Sequence, residues 1–305
     1  MALVECVPNF SEGRRSDVID AIRQAVASEL VYLLDLSSDP DHNRTVITFA
    51  GEPEAVLEAM FRAASIAVTM IDLDEHQGVH PRIGAVDVVP FVPLRDVSIA
   101  DCVNLAERLG ERVGDELGIP VYLYEAAAKQ PDRVNLADLR RGGYEMLKQT
   151  IATDPLRTPD FGPRLIGKAG AMIIGARGPL IAFNAYLSTD NVEIAQQIAL
   201  AIRESGGGLP YLKAIGVLAA GQAQVSMNVI DYRRTSLFTI MEALRAEARK
   251  RGVSVTHTEL VGLTPQSALL EYAIESLGLP EQARSQILEQ RLGAVTGDYR
   301  EIMFE

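Results

Sequence analysis

What most limits the folds open to this chain is an order of elements that runs twice. The apolar run at 3–8 reads as a strand that leaves through the turn-rich NFSEGR. Ser16 then stands as an N-cap before Ile19, Ile22 and Val26, spaced as one face of a helix. Residues 30–36 read as a second strand, and the Ser-, Asp-, Pro- and Asn-rich loop 37–43 turns the chain into a third at 44–49. Pro53 suits the first turn of a helix whose apolar face is Val56, Met60, Ala64 and Ala67. After a polar loop at 72–82, the strand 85–92 completes βαββαβ, the split, ferredoxin-like order.

The same order returns further on. Strands are expected at 180–187, 212–217, 223–230 and 253–261. One helix between them, capped near Ser188, carries Ile194, Ile198 and Ile202, and another carries Leu237, Ile240, Met241 and Leu244. The repetition is of pattern, not of residues. It predicts an α/β (α+β) protein of two subdomains, 1–177 and 178–305, each a ferredoxin-like unit with extra elements. Those extras are a helix capped by Ser98 with Cys102, Leu105, Ala106 and Leu109, a strand at 119–124, and a strand at 171–174. The stretch 129–163 reads as irregular with one short helix at 144–150, and 265–305 as two or three helices begun by Pro265 and Pro280 over a sheet face.

Composition narrows the functions. A net charge of −12, from 29 Lys+Arg against 41 Asp+Glu, repels nucleic acid and anionic membranes, so neither is an expected partner. An anionic substrate must therefore be caught by a local group of arginines. No apolar run approaches the ~18 residues of a membrane helix, and MALVEC lacks the features of a signal peptide, so the cytoplasm is the expected location. Cys6 and Cys102 are far apart in apolar contexts and read as buried hydrophobes.

The chemistry concentrates at 74–93, where His76, His80, Arg82, Asp74, Glu75 and Asp87 flank or enter an apolar run. A stiff Gly- and Pro-punctuated loop that delivers titratable groups to the rim of a sheet suits catalysis. His80 is the candidate base, with Asp39, Asp87 or Glu75 to orient it. His76 and His80 are spaced as metal ligands on a helix, but Gly78 and Pro81 oppose a helix there, so no metal is expected. Arg44 and Arg82 begin or precede strands and suit carboxylate binding. His42 reads either as part of this polar group or as an exposed turn residue, and His257 as a core or edge-strand histidine. Gly206, Gly207 and Gly208 follow a helix and read as its C-cap. The stretch from PDFGP at 159–163 to Gly170 reads either as a place where backbone approaches a flat ligand or as a linker.

Several motifs resemble those of the glutamate formiminotransferases: VECVPNFSEGR at 4–14, DPDHNR at 39–44, GVHPRIG at 78–84, PDFGP at 159–163 and GARGPLIAFN at 175–184, continued by QVSMN at 224–228 and LVGL at 260–263. The resemblance implies transfer of the formimino group of N-formimino-L-glutamate to N5 of tetrahydrofolate, the co-substrate, in histidine degradation. It implies two α/β subdomains with a substrate groove between them, a homodimer, and a cyclodeaminase as a separate partner. It makes His80 the catalytic histidine with Asp39 beside it. It places Arg44, Arg82, Asn9 and Glu12 with the substrate, and Gly162, Pro163, Arg164, Lys168 and Gly170 with folate. Animal members carry a Trp- and Pro-containing segment after the PDFGP motif. This chain has RLIGKAG at 164–170 and no tryptophan, so Arg164 and Lys168 are expected to meet the glutamate tail. Two other activities fit the same residues: an N-formylglutamate:tetrahydrofolate formyltransferase, and a folate-binding protein without turnover.

Overall fold

The computed structural model describes residues 1–28, 30–78 and 81–297. Two compact units divide the chain, the first of residues 1–177 and the second from Gly178 onward.

In the first unit, Leu3–Cys6 (β1) and Asn9–Phe10 (β2) form one interrupted line. Pro8 interrupts it because it has no N–H to give to the ladder. The expected polar exit at residues 9 and 10 is thus a strand, with Asn9 opposite Val46 and Val88. Ser16–Val26 (α1) leads to Val31–Asp39 (β3), which turns into Arg44–Gly51 (β4). Pro53–Met70 (α2) leads to Val86–Arg95 (β5). The β1–β2 line lies between β4 and β5, with β3 outside β4, and every pairing is antiparallel, which is the ferredoxin-like order.

Ile99–Arg112 (α3) then carries the chain to Val121–Glu125 (β6), and Met172–Ala176 (β7) inserts between β5 and β6, parallel to both. The sheet so reaches seven strands among the described residues. β7 is buried throughout and β5 nearly so, as parallel strands covered by helices require. Between β6 and β7 there are two short helices, Leu136–Leu139 (α4) and Gly143–Thr150 (α5), where one was expected. Cys6 and Cys102 are fully buried, and burial pushes the Cys102 thiol up to about 12.

Ser98 caps α3 in a reciprocal box with Asp101. Ser16 does not cap α1. The helix starts at Ser16 itself, and the amides of Arg14 and Arg15 are taken by the Glu12 carboxylate at 2.9 Å.

The second unit holds Ile181–Leu187 (β8), Val192–Ile202 (α6), Leu212–Ala219 (β9), Gln222–Val229 (β10), Leu237–Lys250 (α7) and Val255–Val261 (β11). Its strands run β11-β8-β10-β9, all antiparallel, so the connectivity of the first unit's four-strand core recurs. Asn191, not Ser188, caps α6 through the Glu193 amide; the Ser188 hydroxyl takes the Ser254 amide at 2.9 Å instead. Gly207, at φ 83°, closes the turn after α6. Gln266–Leu277 (α8) packs against α7, and Leu288–Thr296 (α9) follows. His257 sits on edge strand β11, its ring stacked on Tyr186 at 4.2 Å. Among the described residues, no helix is long and apolar enough to cross a membrane.

Candidate active site

Strand direction decides which loops of the first unit meet. β2 and β3 end, and β4, β5 and β7 begin, at one end of the sheet, because β4 and β5 run antiparallel to the first pair and β7 runs parallel to β5. The segments 11–15, 40–43, 71–78, 81–85 and 163–171 therefore converge although most are far apart in sequence.

Asn43 holds three of them together. Its backbone is left-handed at φ 49°, a conformation that asparagine tolerates better than most residues. Its side chain is buried, accepts from the Gly13 amide at 2.9 Å and donates to the Gln77 carbonyl at 3.0 Å, while its own carbonyl accepts from His76 Nε2 at 3.0 Å. A Cβ on Gly78 would come within 2.4 Å of the His42 carbonyl, so only glycine lets these loops close. The fourth segment is joined by main chain. The Ala85 amide donates to the Ala169 carbonyl and the Ala171 amide to the Ile83 carbonyl, both at 2.8 Å. Gly170, at φ 73°, has no room for a side chain against Ile83 and Gly84.

A narrow cleft, without room for a water molecule, lies at this end of the sheet among Phe10, Asn43, Arg44, His76, Arg82 and Asp87. Asp87 is buried, accepts from the Ile83 amide at 2.8 Å and pairs with Arg140 Nη2. Burial and the charge of Arg140 push Arg44 below its ordinary pKa, with Asp87 and Asp39 offsetting part of this. Arg82 donates to the His76 carbonyl at 3.0 Å and to Glu145 at 3.1 Å. The Nε atoms of Arg82 and Arg140 are buried without a protein partner. The charge of Arg140 disfavours that of Arg44, and Arg82 and Arg140 each keep a buried donor to spare, so an anion would relieve this group.

His76 is half-buried. Burial lowers its pKa, the bond to the Asn43 carbonyl works the other way, and the nearby Arg82 lowers it further. Its ring is thus neutral near pH 7. A carbonyl only accepts, so Nε2 carries the hydrogen and Nδ1 is left with a lone pair, buried and without a donor.

Of the residues expected from sequence, His80 lies outside the described residues. Asp39 ends β3, half-exposed, and accepts from the Asp41 and His42 amides and the His42 ring. Burial raises its pKa, but these bonds and the His42 charge outweigh it and hold the carboxyl below the ordinary range. Arg44 and Arg82 come together at the cleft. Glu12 is buried, with both oxygens held by Arg14 and Arg15, so its contribution is to fix the 12–15 turn. Asn9 donates to the Val7 carbonyl at 3.3 Å. Lys168 pairs with Asp72 at 2.5 Å beside the cleft's long loop. Arg164 donates to the Ile151 and Asp154 carbonyls, each at 3.1 Å. Gly162, at φ 78°, packs on the Ile119 carbonyl, and Pro163 is exposed. Sequence reasoning missed the parts played by Asn43 and Arg140. An asparagine just before a strand in a tight loop was a signal for the first. Arg140 offered none, because its partner Asp87 is 53 residues away. Another cavity, of about 380 Å³, is lined by Tyr122, Arg133 and Arg157, whose guanidinium groups are already spent on Asp160 and backbone carbonyls.

Comparison with known proteins agrees in extent with both units. The N-terminal subdomain of the formiminotransferase domain matches residues 3–177, and the formiminotransferase domain matches residues 182–292. Glutamate formimidoyltransferase of Thermoplasma acidophilum is 48% identical over 297 residues, 96% of this chain and 98% of that one. That of Streptococcus pyogenes serotype M1 is 44% identical, covering 95% and 98%. The formimidoyltransferase-cyclodeaminase of Rattus norvegicus is 43% identical over 95% of this chain and 56% of its own length. Matches that span both units, at such identity and over the whole length of single-activity relatives, make this chain a member of the formiminotransferase family.

Proposed function

We propose that the protein transfers the formimino group of N-formimino-L-glutamate to N5 of tetrahydrofolate, releasing L-glutamate and 5-formiminotetrahydrofolate. The observation that carries this reading is the 48% identity over 98% of the length of a glutamate formimidoyltransferase. The arginine cleft supports it, since the donor brings two carboxylates to a protein whose net charge of −12 would otherwise repel it.

In this reading His80 acts as base and then as acid. It takes the proton that N5 sheds as the bond from N5 to the formimino carbon forms, and gives it to the glutamate nitrogen as the bond from that carbon breaks. Arg44 and Arg82 hold the donor carboxylates, with Arg140 reinforcing them. Asp39 polarises the site from the end of β3. Asn9 and Glu12 act through the 9–15 backbone they shape. Gly162, Pro163, Arg164, Lys168 and Gly170 form the folate side, where Lys168 exchanges Asp72 for the glutamate tail. No step calls for a metal. The proposed setting is a homodimer in the cytoplasm, with a cyclodeaminase consuming the product. Incubation with formiminoglutamate and tetrahydrofolate, followed by detection of 5-formiminotetrahydrofolate, tests the function. Tight folate binding without transfer would replace it with a binding role.

A further inference from the structure

A residue that takes and returns a proton, as His80 does in the reading above, must be carried by a segment that keeps its place through the reaction. On each side of His80 that segment is tied to the same residue of α5. Asp74 accepts from the Tyr144 hydroxyl at 2.8 Å, and the Arg82 carbonyl accepts from the Tyr144 amide at 2.9 Å. The tyrosine is firmly seated. It is only 2% exposed and belongs with Leu147 to the core of the first unit. Its single hydroxyl hydrogen goes to Asp74 rather than to the Gly167 carbonyl, 3.4 Å away, and its oxygen accepts from Lys148 Nζ at 3.1 Å. Lys148 also donates to Asp74, at 2.5 Å, so two residues one turn apart on α5 hold the same carboxylate. Gly142 and Gly143, at φ 85° and 65°, turn the chain so that α5 starts against the Arg82 carbonyl. Beside Tyr144, Glu145 accepts from Arg82 Nη2 at 3.1 Å. The side chains of Asp74 and Lys148 are both partly exposed, so their pairing adds little to stability; what it sets is where the segment lies.

We propose that Tyr144 is a positioning residue for the transfer reaction, fixing both flanks of the His80 segment, one through its hydroxyl and the other through its amide. It acts through Asp74 and Arg82 and not by contact with a substrate. Its loss is therefore felt in the proton-transfer step and not in the binding of either substrate. The inference rests on the reading above that His80 handles the proton.

Tyr144→Phe keeps the buried ring and the amide and removes only the hydroxyl. Steady-state rates on the whole protein should show kcat down about tenfold, with KM for formiminoglutamate and for tetrahydrofolate each within about twofold of wild type. The melting temperature should stay close to that of wild type. Asp74→Ala should lower kcat in the same way. The double variant should be no slower than the slower single one, since both changes cut one link. A wild-type kcat in Tyr144→Phe overturns the assignment. So do losses that multiply in the double variant, or a rise in KM at unchanged kcat. His80→Ala tests the underlying reading separately. If it turns over as fast as wild type, the proton does not pass through His80 and the proposal falls with that reading; if it is slow while Tyr144→Phe is fast, only the assignment of Tyr144 falls.

Discussion

Replacing Asn43 by alanine should damage the fold out of proportion to the size of the side chain. The substitution strands the buried Gly13 amide and the Gln77 carbonyl, and leaves a β-carbon at φ 49° without the local bonding that makes this conformation tolerable. A buried amide left unpaired costs about 1–3 kcal/mol and the carbonyl about 1, and the left-handed backbone adds about 0.5–1 for alanine relative to asparagine. The sum is about 4 kcal/mol, which at ~2–4 °C per kcal/mol for a unit of this size lowers the melting temperature by ~8–16 °C. Differential scanning calorimetry reads this directly, and two further variants divide it. Asn43→Gly removes only the backbone component and should recover about 1 kcal/mol relative to alanine. Asn43→Asp keeps the acceptor for Gly13 and should lose only about 1–2 kcal/mol. An alanine variant within about 0.5 kcal/mol of wild type, or a glycine variant no better than alanine, would show that the three loops are not held together through this residue.

The remaining predictions follow from the same contacts. His80→Ala should lower turnover about a hundredfold or more in a steady-state assay, with folate affinity from equilibrium titration little changed. Arg44→Met and Arg82→Met should raise the KM for formiminoglutamate more than that for tetrahydrofolate, and equal rises would argue against carboxylate contacts. Burial raises the Glu12 pKa, but the Arg15 and Arg14 amides outweigh it and hold the carboxyl below its ordinary 4.5. The unfolded chain therefore binds a proton there first as the pH falls. The stability this carboxylate confers is present above about pH 4.5 and lost below it, so melting curves of Glu12→Gln should show a weaker acid dependence than wild type. Dialysis against a chelator should leave turnover unchanged; inhibition reversed by zinc would restore the pairing of His76 with His80.

The twofold βαββαβ order was legible because each unit announces itself locally. Val56, Met60, Ala64 and Ala67 repeat at helical spacing, and β5 and β7 are short apolar runs bounded by turn residues. What escaped depends on contacts between distant parts of the chain. β2 is a strand because β4 and β5 flank it, not because Asn9 and Phe10 favour one. Ser16 has the chemistry of an N-cap, yet Glu12 already serves the amides at that helix start. For the site, Arg44 and Arg82 stand out as charges beside strands, and their meeting at one cleft follows from strand direction. Arg140 and the free lone pair of His76 are legible only in three dimensions, since one is set by a residue 53 positions away and the other by a backbone carbonyl 33 positions away.

The segment ending at Gly170 is fastened to 83–85 by amide and carbonyl groups that every residue type possesses. Such a joint is indifferent to the side chains strung before it. With Ile166 kept in the core, the exposed positions 164, 165 and 168 can therefore be exchanged by an engineer without loosening the strand that begins at Val86. If that segment forms the folate side as proposed, its contacts with the acceptor can be altered separately from the group that handles the proton.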